Sequence, residues 1–438
     1  MKTRTALAGA AVLVLGLAAC SDPSAGAPAA TTTAAATWPD PAARLDGVTL
    51  TIWAAQNSNT VPKQVVDAFQ KATGAKVEVV TIPDPYEQGV QTKVATGDKP
   101  DLAFWQPTAS MLTALNATTN LQPLTDAPWL SKYAPDLRDI TGILNDTRYA
   151  TLVTSPAVEG VYYNREVFEA NGITGTPKNF DEMIEVARKL KAKGVTPFHE
   201  MAGDRWGTQW WVQVQLADAA KDGLWERINT GKETFEGPTV LGAIKKYRSL
   251  IDEGLFNADI RTAKFEDQGA ALLSGKAAMA VQVNSFFGLL QASSDTATLD
   301  KRIGFFPISP SGNVGTSIPD QSNALVAFRT GDAGREAAAR QLLAYWMGPG
   351  YPAFVADRST VSLQTAVPSP PDVPRALLDV HASLPSSVGS MQSQAVANPD
   401  LYLNLADMIT GTLSPEKVAS ATQKQFEQLA RAAGATGF

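Results

Sequence analysis

Hydrophobic positions between residues 48 and 105 alternate between a period of two and a period near four. Alternation at 48–52 and again at 77–82 is typical of strands, and the apolar run at 101–105 is typical of a buried strand. Between them, Pro62 to Gly74 and Tyr86 to Thr96 have the spacing of amphipathic helices. This β-α-β-α-β order predicts a largely parallel sheet with right-handed crossovers.

Parallel strands end at one edge of a sheet, and ligands bind beside the loops that leave that edge. The loops at 53–59, 83–86 and 105–110 follow the three predicted strands. They are predicted to bring one group of side chains together: Trp53, Asn57, Tyr86, Trp105 and Gln106.

The rest of the chain is predicted to be more helical than residues 48–105. Asn179 is a suitable N-cap, and Glu182 three residues later suggests a capping box for a helix that ends before Gly194. Gly275 is predicted to end a helix, and alternation at 279–283 follows as a strand. Further helices are predicted at 334–347 and from Ser414-Pro415, the last with Val418, Ala421, Phe426 and Leu429 on its buried side.

The amino terminus has the pattern of a secretory signal. Lys2 and Arg4 precede an apolar run, Leu7 to Ala19, that is shorter than the roughly 20 residues needed to span a bilayer. The run ends in Leu-Ala-Ala-Cys, which resembles a bacterial lipobox, so residues 1–20 are predicted to be a lipoprotein signal peptide with lipidation at Cys20. Cys20 is the only cysteine, which excludes an internal disulfide. Residues 21–46 are mostly Ala, Thr and Pro and are predicted to form a disordered tether.

Length and charge narrow the function classes. A chain of 438 residues exceeds one comfortable hydrophobic core and favours two domains. The net charge of −6 and the lack of a basic, aromatic cluster argue against nucleic-acid binding.

Catalytic signatures are incomplete. His199-Glu200 is followed by Gly203 where a zinc protease motif has its second histidine, and neither a cofactor nor a metal site is predicted. Carboxylate pairing of Glu159 with Glu200 or Asp320 is possible in space, as a glycoside hydrolase would require.

Four segments resemble motifs of the family 1 extracellular solute-binding proteins, the carbohydrate-binding receptors of bacterial ABC importers. They are TGDKPDLAFW at 96–105, PAVEGVYYNR at 156–165, TPKNFDE at 176–182 and GKAAM at 275–279. The four segments follow one another in the family's order and at its spacing across nearly the whole body of the chain.

The resemblance implies an α/β, two-lobed periplasmic-binding-protein-like fold of type II. Each lobe would be a mostly parallel sheet flanked by helices, with the ligand cleft between the lobes. It assigns residues 47–157 and about 321–358 to the N-terminal lobe, and about 158–320 and 359–438 to the C-terminal lobe.

The resemblance also implies binding positions. Trp53, Asn57, Trp105, Thr108, Glu159 and Phe286 fall where such proteins touch sugar. Thr108 and Ser58 depart from the acid and the lysine of maltose-binding protein, which puts maltose itself in doubt. Three further candidates flank a predicted strand end and the chain crossing between the lobes: Asn284, Gln321 and Asn323. At a predicted helix start, the spacing places Trp206 and Trp210 on one face and Trp211 on another. For Trp105 and Trp53 a core role remains open, since their neighbours pack inward.

Aromatic plates and polar side chains without one predominant charge favour a neutral ligand. The sequence is therefore interpreted as a monomeric, non-enzymatic receptor for a neutral mono- or oligosaccharide, lipid-anchored outside the cell membrane and partnered by an ABC permease. A secreted carbohydrate-active hydrolase and a receptor for a non-sugar solute such as a peptide are the alternatives.

Overall fold

The computed structural model describes residues 38–55, 61–318 and 323–438. The predicted signal peptide with Cys20, tether residues 21–37, Asn57, Ser58, Asp320 and Gln321 lie outside these ranges.

Strands account for two large sheets and a short hairpin. The strands are β1 Thr49–Ala55, β2 Lys76–Ile82, β3 Leu102–Phe104, β4 Ile143–Leu144, β5 Thr147–Arg148, β6 Ala150–Leu152, β7 Ala157–Asn164, β8 Thr196–Phe198, β9 Ala277–Gln282, β10 Ile303–Phe306, β11 Thr316–Ile318, β12 Ala324–Ala327 and β13 Val388–Gly389.

Helices cover the sheets and fill much of the second half of the chain. They are α1 Lys63–Thr73, α2 Tyr86–Ala95, α3 Ala109–Ala114, α4 Ala117–Asn120, α5 Pro135–Arg138, α6 Arg165–Ala170, α7 Phe180–Ala192, α8 Trp210–Lys221, α9 Leu224–Asn229, α10 Pro238–Asp252, α11 Phe265–Ser274, α12 Phe286–Ser293, α13 Thr296–Arg302, α14 Ala333–Trp346, α15 Tyr351–Asp357, α16 Arg375–Ser383, α17 Met391–Gln394, α18 Leu401–Thr410 and α19 Pro415–Ala432.

The first sheet has the strand order β2-β1-β3-β12-β6. β1 pairs in parallel with β2 and with β3, which confirms the predicted β-α-β-α-β unit. β12 is antiparallel to both of its neighbours, so it alone runs against the other strands of this sheet.

The second sheet has the order β13-β11-β7-β9-β8, with β10 also paired to β7. Here β7 is antiparallel to β9, β10 and β11, whereas β8 pairs with β9 and β13 with β11 in parallel. Each sheet therefore has one strand reversed, and each forms with its helices one lobe of a two-lobed α/β fold of type II. The chain crosses between lobes from β6 to β7, and returns from β11 to β12 through a segment outside the described residues.

Residues 38–46 belong to the folded body, which corrects the predicted extent of the tether. The Trp38 ring packs edge-on against Trp129 at 4.8 Å, and the Arg340 guanidinium lies 3.9 Å from its centre. Gln341 Nε2 also donates to the Ala43 carbonyl oxygen at 2.7 Å. The tether prediction was wrong here because burial of the Trp38 side chain anchors the segment to the body, although its composition offers little else to bury. The other lobe boundaries stay predictions.

Most of the helix ends that were predicted from local sequence are confirmed. Gly74 and Gly275 end α1 and α11 in the left-handed conformation. Asn179 Oδ1 accepts from Glu182 N–H, but the Glu182 carboxylate accepts from Lys178 N–H rather than completing the predicted box. In α19, Leu429 is 38% exposed, so its predicted place on the buried face was wrong.

Candidate functional site

A cleft of about 2000 Å³ lies between the lobes. Its first-lobe wall comes from the end of β1, the start of α2 and α3, and its second-lobe wall from residues 204–210 and the starts of α12 and α18. The volume exceeds the roughly 300–1,000 Å³ usual for small-molecule sites, so the cleft has room for an extended ligand.

Like Tyr402, Trp206 is a partly exposed aromatic residue that lines this cleft. It opens a 3₁₀ turn, Trp206–Gln209, that leads directly into α8. Its ring packs edge-on against Phe265 at 5.1 Å and against Trp210 at 6.3 Å. Trp210 also lines the cleft, although it is only 5% exposed. Trp211 is fully buried and stacks on Tyr247 at 5.7 Å, as expected if it lies off the face that 206 and 210 share.

Three glutamines form a hydrogen-bonded chain below the cleft. Gln392 Nε2 donates to Gln209 Oε1 at 2.6 Å, and Gln213 Nε2 donates to Gln392 Oε1 at 2.8 Å. Gln209 and Gln392 line the cleft, and Ser110 Oγ of the first lobe donates to the Gln392 carbonyl oxygen at 3.5 Å. Neither glutamine was predicted from the sequence, because the two are about 180 residues apart and neither lies in a motif.

Four predicted polar or aromatic residues do line the cleft, each with a defined local role. Asn284 Oδ1 accepts from Val158 N–H at 3.0 Å, so this side chain is held against the start of β7. Asn323 Nδ2 instead braces the crossing, since it donates to Thr154 Oγ1 and to the Ser155 carbonyl oxygen, both at 2.9 Å. Gln106 Nε2 donates to Glu87 at 3.3 Å. The Tyr86 hydroxyl donates to the Phe104 carbonyl oxygen at 2.6 Å, and burial raises its pKa.

Two predicted stacking residues, Trp53 and Trp105, are in the core instead. Trp105 has no exposed surface, and its Nε1 donates to the Met111 carbonyl oxygen at 3.0 Å. Trp53 is 4% exposed and packs near Phe328 in the first lobe. Both corrections have the same cause: at these sheet positions the side chain points into the layer between sheet and helices rather than out over the edge.

Three more predicted contacts, Thr108, Glu159 and Phe286, are also buried away from the cleft. The Thr108 hydroxyl accepts from Met111 N–H at 3.3 Å and caps α3. Phe286 packs against Tyr162, with ring centres 5.4 Å apart. Glu159 has no exposed surface, and burial holds its pKa well above the usual range of a carboxyl group. Glu159 in β7 and Phe286 at the start of α12 are fully buried, and Thr108 is held as the N-cap of α3, so none of the three lines the cleft in this conformation.

Among the charged side chains at the cleft surface, carboxylates predominate. This corrects the expectation that no one sign of charge would be dominant there. Among the described residues that line it, seven are acidic and two are arginines: Asp84, Glu87, Asp204, Glu266, Asp295, Asp357 and Asp400, with Arg205 and Arg358. Arg205 is paired with Asp407, and Arg358 lies 3.8 Å from Asp357.

Carboxylates of the two lobes influence one another across the cleft. Partial burial raises the pKa of Asp84 in the first lobe, and the negative charge of Asp204 in the second lobe raises it further. The pKa of Tyr402 is raised by burial first and then by Asp400 and Glu87. This region therefore disfavours additional negative charge.

The carboxylate pairs suggested by the sequence do not lie at the cleft among the described residues, since Glu159 and Glu200 are both buried. Glu200, one proposed partner of Glu159, accepts from the Tyr247 hydroxyl at 2.8 Å and from Met201 N–H at 2.7 Å inside the second lobe. Within the same described ranges, no three His, Cys, Asp or Glu side chains are grouped to hold a metal ion. Nor does any described helix combine the length and apolar character needed to traverse a bilayer.

Comparison with known proteins gives a consistent set of matches. Residues 54–351 match the family described as bacterial extracellular solute-binding protein. An uncharacterized ABC transporter extracellular-binding protein, PH1214 of Pyrococcus horikoshii, is 24% identical over 51% of this chain and 50% of its own length. The chain spans about half or less of the length of the curated relatives it matches.

Solved structures resemble nearly all of the folded body. A chitin oligosaccharide binding protein superposes with a TM-score of 0.75 at 20% identity, covering 88% of this chain and 99% of its own. The solute-binding protein RafE in complex with raffinose has a TM-score of 0.72 at 18% identity, covering 87% and 100%. At these identities the likeness shows the fold.

Proposed function

The chain belongs to the bacterial extracellular solute-binding proteins, and from that premise we propose that it captures a neutral sugar or oligosaccharide and delivers it to an ABC importer. The proposal makes it a non-enzymatic receptor. Its partners would be the saccharide and the transmembrane subunits of a permease, and it would act as a monomer.

The observation that carries this proposal is the combination of Trp206 with amide side chains from both lobes in one large cleft. A sugar ring has apolar C–H faces and hydroxyl edges, so it favours an aromatic surface beside hydrogen-bonding side chains. Trp206 offers the surface, and Gln106, Gln209 and Asn284 offer amides. The names of two structural relatives mention chitin oligosaccharide and raffinose, which supports a saccharide here.

The charge of the cleft supports a ligand without negative groups. Phosphorylated or uronic sugars would bring anions close to Asp84, Asp204 and Asp400. The two lining arginines are already beside Asp407 and Asp357. A neutral saccharide avoids this repulsion, since its hydroxyl groups donate to carboxylates.

Location and anchoring form a separate part of the proposal. We propose that residues 1–20 are a lipoprotein signal peptide, that Cys20 carries the lipid, and that the protein is held at the outer face of the cell membrane. The Ala/Thr/Pro segment after Cys20 would then separate the folded body from the bilayer.

A thermal-shift panel of saccharides tests the ligand class. Purified protein is heated with maltotriose, raffinose, a chitin oligosaccharide, a sugar phosphate and a short peptide. A ligand at a hundredfold excess over its Kd stabilises the folded state by about 2.7 kcal/mol, so the true class gives a clear rise in Tm. A shift only with the peptide or the sugar phosphate would contradict the proposal.

The hydrolase alternative is tested on the same samples. A receptor returns oligosaccharides at their original length after prolonged incubation, which chromatography of the recovered sugars measures. Shorter products at a rate proportional to protein concentration would favour the hydrolase.

A further inference from the structure

The backbone at Arg205 is strained, and it lies on the cleft wall beside Trp206. Its φ and ψ are 64° and −51°, and Trp206 N–H donates to the Asp204 carbonyl oxygen at 2.7 Å, which closes a tight γ-turn. Residues with a side chain rarely adopt this conformation, and it persists only where surrounding contacts hold it.

Arginine at this turn requires an explanation, because glycine would adopt the same backbone without strain. Gly203 and Gly207 stand two residues to either side, yet the strained position itself carries a long side chain. The Arg205 side chain must therefore contribute something that glycine cannot.

Its contribution is an attachment to α18. The Arg205 guanidinium forms an ion pair with Asp407 and lies 3.4 Å from the Leu403 carbonyl oxygen. The buried Thr208 hydroxyl joins the same two elements, since it lies 2.9 Å from the carbonyl oxygens of both Arg205 and Tyr402. The turn is thus tied to the helix that supplies Tyr402 and Leu403 to the cleft.

The opposite side of the turn is fixed to the start of α11. Asp204 Oδ2 accepts from Phe265 N–H at 2.7 Å, and Gly203 N–H donates to the Ala263 carbonyl oxygen at 3.0 Å. A side chain at Gly203 would meet the Thr262 carbonyl oxygen at 2.5 Å, so the backbones approach closely there. Trp206 leaves this fixed turn and packs on Phe265.

We propose that Arg205 is a positioning residue of the binding site: its side chain, held by Asp407 and Leu403, keeps the γ-turn strained and thereby fixes the Trp206 ring in the cleft. The expected effect of Arg205 on affinity rests on the proposed saccharide function. The orientation of Trp206, by contrast, can be measured without any ligand. Release of the attachment lets the turn relax and the ring move away from its place on Phe265.

Variants that remove either half of the attachment test the proposal. Arg205→Gly permits the turn but removes the anchor, Asp407→Ala removes the partner, and Arg205→Lys restores a positive charge. Asp252→Ala is the matched control, because it removes the partner of Arg248 in a surface ion pair of similar exposure on α10, away from the cleft.

Acrylamide quenching of the ligand-free protein, with the Trp206 signal assigned by difference from Trp206→Phe, reports the position of the ring. We expect Trp206 to become more accessible in Arg205→Gly and Asp407→Ala and unchanged in Asp252→Ala. The Kd for the saccharide with the largest thermal shift should rise about tenfold in either single variant, and no further in the double variant, because the two residues act as a unit. Arg205→Lys should recover most of the affinity.

An unchanged Trp206 signal in both anchor variants, or a Kd within about twofold of the parent, would overturn the proposal. If no saccharide binds the parent protein, the proposed function fails, and the ligand-free quenching alone decides the role of Arg205. If Arg205→Gly does not fold, Asp407→Ala and Arg205→Lys decide it.

Discussion

Tyr247 donates its hydroxyl to the Glu200 carboxylate at 2.8 Å, with both residues enclosed in the second lobe. Burial raises the pKa of Glu200 to about 7, although the hydrogen bonds from Met201 N–H and Tyr247 oppose the rise. Glu200 therefore titrates near neutral pH without belonging to the cleft.

The raised pKa of Glu200 predicts that the stability of the folded protein depends on pH. Between the unfolded pKa of about 4.3 and the folded value of about 7, the folded state holds a proton that the unfolded state has lost, so the free energy of unfolding falls as pH rises. The contribution is on the order of 4 kcal/mol over this window. In Glu200→Gln, urea unfolding at pH 5 and pH 8 should show a smaller difference than in the parent protein.

Glu185→Gln is the control, since Glu185 is exposed on α7. Glu159, another fully buried carboxyl, changes stability in the same direction but is present in every variant, so it cancels from the comparison. Equal pH differences in Glu200→Gln and the parent would contradict the shifted pKa.

Trp206→Ala should weaken saccharide binding with little effect on folding. The ring is partly exposed, and loss of about 50–100 Å² of apolar contact corresponds to roughly 1–2.5 kcal/mol, or about fivefold to seventyfold in Kd. Calorimetric titration with the saccharide that gives the largest thermal shift measures this change. Leu378→Ala, which truncates an exposed apolar side chain outside the cleft, should leave Kd unchanged.

Trp105→Ala should instead destabilise the first lobe. Truncation of a fully buried tryptophan costs about 3–5 kcal/mol and leaves the Met111 carbonyl oxygen without its Nε1 donor. Denaturant unfolding measures the loss, and Kd measured on the folded fraction tests for any ligand contact. Normal stability combined with weakened binding would show that Trp105 reaches the ligand in another conformation.

Ligand binding should bring the lobes together. A saccharide that contacts both walls stabilises the closed form by its greater affinity for that form. Small-angle scattering of the purified protein should give a smaller radius of gyration with the saccharide that raises Tm. An identical profile at saturation would argue against closure.

Cys20→Ser should abolish lipidation without changing the fold of the body, because the compact unit of the body spans Trp38–Phe438. Metabolic labelling with a fatty-acid analogue should mark the parent protein and not the variant. Continued labelling of the variant would rule out Cys20 as the acceptor.

Local sequence determined much of the secondary structure. Alternation predicted β1, and Gly74, Asn179, Gly275 and Ser414 mark the helix ends, because caps and periodicity depend on residues only a few positions apart. The parallel β1–β2 and β1–β3 pairings followed from the order of these elements. Motif resemblance then predicted the two-lobed fold.

The binding surface depended on tertiary structure. The sequence predicted that Trp105 ends a strand but not that its ring turns inward onto Met111. It paired Trp206 with Trp210 by helical spacing but did not predict the strained turn at Arg205 that precedes Trp206. The meeting of Gln209 with Gln392 joins segments about 180 residues apart, and no local pattern encodes such a contact. Side-chain direction and long-range contact are set when sheets and helices pack, so periodicity alone cannot decide which residues of a loop face the ligand.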